Sequence, residues 1–303
     1  MKTLSPRQIL KCGWDAIVTT INHDGIEHAG YLAFLALLAL FPFLVFMVAV
    51  IGVIGQGEAG TYYISQLLDM LPQHIAVALK PRVVEIVSGP PQGLLTVSIL
   101  GAIWTASSAV EGMRTILNRA YHVATPPAYW FRRGLSVLQL LLFTFLTISG
   151  MILMVTVPLL IENIETLLGI HVTVIDKNYV NHIVMLISVA TLFAGVSSVY
   201  YFIPNIKQRF VSVAPGAAMV VLFWLGAAQL FSLYLSHFEQ VNLIYGSLGG
   251  IIATLVFFYI CNMIFIFGAE FNYQIVHRVG MRIVEKEHVK TPAPPPQSSR
   301  PKA

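Results

Sequence analysis

The run GYLAFLALLALFPFLVFMVAVIGVI, residues 30–54, carries no charged side chain from end to end. A bilayer core of ~30 Å is crossed by about 20 predominantly apolar helical residues. Comparable runs recur near 93–117, 136–160, 181–203, 212–236 and 247–271. The alternation with repeated turn signals that a transmembrane barrel requires is missing, and the alternative that satisfies every backbone group in lipid is the helix. The expected fold class is therefore all-α: a polytopic integral membrane protein with six transmembrane helices, joined by amphipathic interfacial helices. Composition agrees, because a chain that is 56% hydrophobic and 11% charged has too little polar side chain to coat a soluble exterior. Pro42 falls inside the first run, where it removes a backbone donor and favours a kink.

The placement of basic residues sets the expected orientation. Lys2, Arg7 and Lys11 precede the first span, and Arg114, Arg119, Arg132 and Arg133 lie at the second connection. Lys207 and Arg209 lie at the fourth connection, and Arg278, Arg282, Lys286, Lys290, Arg300 and Lys302 follow the last span. In a six-span arrangement these 15 of the 18 basic residues fall on one side, against Lys80, Arg82 and Lys177 on the other. Positive charge marks the cytoplasmic side, so both termini are expected inside. The same asymmetry accounts for the net charge of +4 without invoking nucleic acid.

The expected domains are a cytoplasmic amphipathic segment (1–29), a six-helix membrane domain (30–276) and a Pro-rich, disordered cytoplasmic tail (277–303). In the first, Ile9, Leu10, Trp14, Ile17, Val18 and Ile21 recur at helical spacing within 8–28, predicting a helix that lies on the membrane surface. Residues 61–88, broken by Pro72 and Pro81, are expected to form two short helices at the outer interface. The first 25 residues lack the apolar core of a cleavable signal peptide. Cys12 and Cys261 stand far apart, offering neither a disulfide framework nor a CxxC motif.

Ionisable residues inside a membrane helix are costly and are functional candidates by default. Glu111 interrupts the second span, with Arg114 one turn away and Ser107 and Ser108 nearby. Glu270 interrupts the last span, which also holds Asn262 and Asn272. At 1.5 Å per residue Glu270 lies roughly 34 Å from Ser247, near the cytoplasmic boundary, and shallow burial is expected for it. Glu111, Arg114, Glu270, Ser107, Ser108 and Asn262 are the candidate lining of a polar cleft; the competing role for Glu111 and Arg114 is a structural ion pair. Gly246 with Gly250 makes a GxxxG, and Gly216 and Gly226 sit among small residues of the fifth span, all read as helix-packing positions. A GxxxG serves contacts within a chain as readily as between chains, so homo-oligomerisation is left open. His23, Asp24, Glu27 and His28 fall within six residues, but without HExxH spacing or a third cluster, so no metal is expected there. No catalytic residue and no cofactor is called for: GQGEAG (55–60) lacks the GK[ST] ending of a phosphate loop, and no GxSxG is present.

Several blocks together resemble the YihY/BrkB family of bacterial inner-membrane proteins: HAGYLAFLALLALFPF (28–43), LGAIWTASSAVEGMRTILNRAY (100–121), YYFIPNIK (200–207), VAPGAAMVVLFW (213–224) and YGSLGGIIATLVFFYICNMIFIFGAEFN (245–272). The resemblance implies six spans, both termini cytoplasmic and residence in the bacterial inner membrane. It also implies links to serum resistance and to envelope lipid or lipopolysaccharide export. The family has carried a ribonuclease label, which this sequence argues against, since it holds no clustered His/Asp ligand motif and no soluble catalytic region. The expected function is non-enzymatic transport or handling of a lipid, envelope component or small solute, with membrane lipids as partners. The alternative is a membrane scaffold or assembly factor that binds envelope proteins.

Overall fold

The computed structural model describes residues 5–54, 65, 81, 93–123, 128–168, 177–236, 247–280 and 284–286. Among these, seven helices and two short strands follow one another: α1 (Pro6–Asn22), α2 (Gly25–Ile54), α3 (Gly93–Ala120), α4 (Tyr129–Leu168), α5 (Lys177–Phe202), β1 (Ile206–Lys207), α6 (Phe210–Ser236), α7 (Ser247–Arg278) and β2 (Val284–Glu285). Apart from residues 65 and 81, the expected helices at 61–88 lie outside the described residues, as does Gly246.

The six long helices coincide with the six apolar runs, and five of them are long and apolar enough to cross a membrane: Gly25–Leu44, Tyr129–Met154, His182–Phe202, Phe210–Tyr234 and Gly249–Arg278. Helix α3 has the length, at 28 residues. Its second half carries Glu111, Arg114 and Arg119, which dilute its apolar character. Consecutive helices from α2 to α7 pack side by side, and α7 returns to α2 and also touches α3, closing a ring. The main core draws Val110 and Leu117 from α3, Leu140 from α4, Tyr200 and Ile203 from the end of α5, Val213 and Val220 from α6 and Ala269 from α7. These belong to the C-terminal halves of α3, α5 and α7 and the N-terminal halves of α4 and α6, so this core occupies one end of the bundle.

Helix α1 is shorter than the expected 8–28. It begins at Pro6, behind the N-cap Ser5, with the Gln8 side chain accepting the Ser5 backbone N–H at 2.8 Å. It ends at Asn22, because the chain turns through Asp24 in a left-handed conformation (φ 56°) before α2 starts. The face it packs on α7 is made of small residues, Cys12 and Ala16, against Phe271 with Phe267 and Ile275. Arg278 locks the contact with hydrogen bonds to Asp15 Oδ2 (2.6 Å) and the Gln8 carbonyl (3.3 Å). Its large apolar residues point away from the protein: Leu10 is 75% and Trp14 67% exposed, with Ile9, Ile17, Val18 and Ile21 also open.

The segment after 276, expected as a disordered tail, differs in its first part. Helix α7 continues to Arg278, and β2 pairs antiparallel with β1, Ile206 opposite Glu285 and Lys207 opposite Val284. Lys286 extends the ribbon, its backbone N–H donating to the Asn205 carbonyl at 3.1 Å. Backbone pairing supplies this order, and apolar periodicity carries no trace of it.

Candidate functional site

Arg114 stands at the centre of the packed end, 2% exposed. Its Nε donates to Glu111 Oε2 (3.2 Å), one Nη to the Ile203 carbonyl (2.9 Å), and the other to Ser136 Oγ (3.2 Å) and Gln139 Oε1. Gln139 in turn donates to the Phe202 carbonyl at 2.8 Å, so α3, α4 and the end of α5 share one network. Ser136 donates to Glu111 Oε2 at 2.9 Å. Arg132 brings its Nε to 3.2 Å from Glu111 Oε1 as an ion pair, without the alignment of a hydrogen bond. Arg132, Ser136 and Gln139 lie on one face of α4, spaced by four and three residues. That polar stripe inside an apolar run is a signal the topological count of arginines passes over.

The neighbouring serines serve α3 and its contact with α4. Ser107, fully buried, and Ser108 both donate to the Trp104 carbonyl, at 2.9 and 3.0 Å. Arg133 donates to Ser108 Oγ (3.2 Å) and to the Trp104 carbonyl (2.5 Å), and lies 3.9 Å from the Trp104 ring centre in a cation–π contact.

Glu270 belongs to a different cluster. Expected to be shallow, it is 1% exposed, because α1 and the turn after it cover this end of α7. His23 Nδ1 lies 2.8 Å from its Oε1. The other oxygen, Oε2, is sealed from solvent and accepts no hydrogen bond. The Thr19 hydroxyl lies beside the carboxylate and is also within hydrogen-bond distance of the Asp15 and Ala16 carbonyls, at 2.9 and 3.1 Å. His122 follows α3 in a left-handed conformation (φ 56°), with its ring 4.9 Å from that of His23 and 4.5 Å from that of Tyr273. Burial, together with His23 and His277, holds His122 below the usual imidazole value. The expected single cleft is therefore divided: Glu111 and Arg114 join α3 to α4 and α5, whereas Glu270 joins α7 to the α1–α2 turn. Of the other acidic and histidine residues near the N-terminus, Asp24 and His28 meet Arg119, at 2.5 and 3.1 Å.

Glycine positions also separate. A Cβ on Gly216 would meet the Gly268 carbonyl oxygen at 2.3 Å, and one on Gly268 would meet Val220 Cγ2 at 2.3 Å and the Tyr200 hydroxyl at 2.6 Å. These two glycines set the close approach of α6 and α7, which Asn272 bridges by accepting the Gly216 N–H (2.7 Å) and donating to the Val213 carbonyl (3.1 Å). Gly226 and Gly250 face open space within 4 Å. No packing partner holds them small in the described residues.

Two of the cavities among the described residues involve the candidate positions. One, of about 450 Å³, lies among α3–α7 and is lined by apolar residues such as Phe143, Met151, Leu192 and Trp224, with Asn262 on its wall. Asn262 donates to the Phe258 carbonyl at 2.8 Å. The second, of about 500 Å³, has Leu135, Leu138, Leu142 and Phe202 along its walls, and Arg114 and Lys286 beside Asn205 and Gln139. Burial and the Arg114 charge hold Lys286 below the ordinary lysine value. Its Nζ donates to the Pro204 carbonyl at 3.2 Å. By sequence Lys286 falls in the expected tail, and the β1–β2 ribbon is what carries it here.

A ring of long apolar helices, clamped at one end by buried polar networks, defines a polytopic α-helical membrane protein. The sequence profile of the family described as Virulence factor BrkB matches residues 17–292, and the chain belongs to that family. It is 31% identical over 190 residues to a ribonuclease-like protein, YfkH, of Bacillus subtilis, an alignment covering 59% of this chain and 65% of the relative. It is 37% identical over 71 residues to the UPF0761 membrane protein VP0125 of Vibrio parahaemolyticus (23% of each chain) and 32% identical over 78 residues to a UPF0761 membrane protein of Tolumonas auensis (26% of each). These alignments span less than two thirds of each relative's length. No solved structure matches the chain.

Proposed function

We propose that the protein crosses the bacterial inner membrane six times with both termini in the cytoplasm, and that it binds and handles an anionic membrane lipid without catalysing a reaction. The ribonuclease wording in one relative's name is taken as a misnomer for this chain. Support for the sixth crossing comes from the Glu111–Arg114 pair: it turns inward to Ser136, Gln139 and Ile203, which leaves α3 free of charge toward lipid at that level. Support for the orientation comes from the packed end, where Arg114, Arg119, Arg132, Arg133, Lys207, Arg209, Arg278 and Lys286 fall together. Helix α1, with Leu10 and Trp14 facing outward, suits the headgroup boundary of that same side.

The single observation that carries the lipid assignment is the 500 Å³ pocket. Its leucine and phenylalanine walls suit an acyl chain. Arg114 and Lys286 place positive charge at its polar end, the sign that an anionic headgroup requires. Lys286 spends one ammonium proton on Pro204 and keeps two for a ligand. Arg114 has four of its five donors engaged by protein, so it contributes chiefly its field.

Native mass spectrometry of the full chain released from lipid nanodiscs tests this. The expected result is a retained anionic phospholipid, depleted in Lys286→Gln and in Leu138→Trp, which fills the wall. Retention of zwitterionic and anionic lipid alike, unchanged by both variants, would discard the lipid site and favour the scaffold alternative. A reporter fused to the C-terminus and active only in the periplasm would overturn the orientation.

A further inference from the structure

We propose that His23, His122 and Glu270 form a divalent transition-metal site, with zinc the best fit, that clasps the α1–α2 turn and the end of α3 onto α7. Each residue offers one ligand atom, and the three atoms lie within 4.8 Å of one another. Two imidazoles and one carboxylate are an established zinc donor set, and the remaining coordination position is left for water. Tetrahedral ligands about 2.1 Å from zinc sit about 3.4 Å apart, so closure from the widest separation takes at most about 1.4 Å of side-chain movement. The His23–Glu270 pair, at 2.8 Å, has to open by about 0.6 Å to admit the ion.

Independent of this spacing, Glu270 itself points to a missing partner. It is 1% exposed, and its Oε2 has no hydrogen bond. A buried carboxylate oxygen without a partner is costly, and a cation bound at the carboxylate removes that cost. His122 sits at the exposed edge of the cluster, so an ion has a path in. Its ring packs on Tyr273, which restrains its orientation as outer contacts do for metal-bound histidines. Binding replaces the proton shared between His23 Nδ1 and Glu270 Oε1 by the metal ion, and that proton leaves to solvent.

The sequence hides this set because its ligands come from three remote segments, His23 and Glu270 being 247 positions apart. The HDGIEH cluster in which His23 stands is scattered by the fold, Asp24 and His28 going to Arg119.

The test uses the full chain in detergent, with any affinity tag removed, stripped by chelator and titrated with Zn²⁺ and with Co²⁺. Expected are one bound ion per chain and the visible absorption of four-coordinate Co²⁺. Affinity should fall at least about tenfold in His122→Ala and Glu270→Gln, and stay unchanged in Glu27→Gln. Glu270→Gln alters a buried group and can unfold the chain, whereas His122→Ala removes an exposed ring and decides the matter. Wild-type protein that binds no ion, or a His122→Ala variant with wild-type affinity and the same Co²⁺ spectrum, would overturn the site.

Discussion

His23 and Glu270 meet at 2.8 Å across 247 positions of chain, and this contact fixes the N-terminal turn to the last helix. It gives α1 a defined seat: the small face of Cys12 and Ala16 lies on α7, and Trp14 and Leu10 are held outward. The bundle thus has two polar fasteners at one end, one on α7 and one at Arg114. Their separation governs how substitutions should behave.

Arg114→Ala should destabilise the protein by about 3–5 kcal/mol, the cost of removing one partner from a buried charged network. It unfastens Glu111, Ser136, Gln139 and the Ile203 carbonyl together. Glu111→Gln should cost less, because Arg114 keeps its bonds to Ile203, Ser136 and Gln139. Thermal unfolding of the two variants in the same detergent compares them, and equal losses would contradict the network.

Gly216→Ala and Gly268→Ala should each cost about 1–3 kcal/mol, the penalty of overpacking a close contact. The added methyl meets a backbone carbonyl in the first case, and Val220 with the Tyr200 hydroxyl in the second. Gly226→Ala enters open space and should be neutral or slightly stabilising, since alanine is the better helix former. Denaturation midpoints of the three variants give the comparison.

Lipid retention should weaken with rising pH sooner than for an ordinary lysine. Burial and Arg114 lower the Lys286 value below 10.5, so its charge is lost earlier as pH rises. The sign for folding is opposite. With the folded value below the unfolded one, the unfolded chain holds more protons between the two, so this group's contribution to stability rises with pH across that window. Lys286→Arg keeps its charge throughout and should flatten the decline in lipid binding below pH 10.5. Measuring lipid release against pH for both proteins checks this.

Trp14 should report the membrane. With the other three tryptophans replaced by phenylalanine, its fluorescence should be quenched by lipids brominated near the headgroup end of the acyl chain. Trp14→Asp should leave the helix ring folded but shift α1 from slow toward fast amide exchange, because an apolar anchor is lost. Quenching by an aqueous quencher alone would show α1 facing water.

The sequence by itself determined the helical class and the place of each long helix. Hydrocarbon thickness dictates run length, and backbone polar groups in lipid demand helices, so these features are local and can be counted along the chain. It also marked Glu111, Arg114 and Glu270, since charge in such runs stands out. Only the tertiary structure decided their partners. Arg114 with Gln139 and Ile203, Glu270 with His23 and His122, and Lys286 beside the leucine wall of α4 are pairs brought together by the closing of the ring and by the β1–β2 ribbon. Such partnerships depend on distances between remote segments, which neither hydropathy nor spacing along one helix encodes.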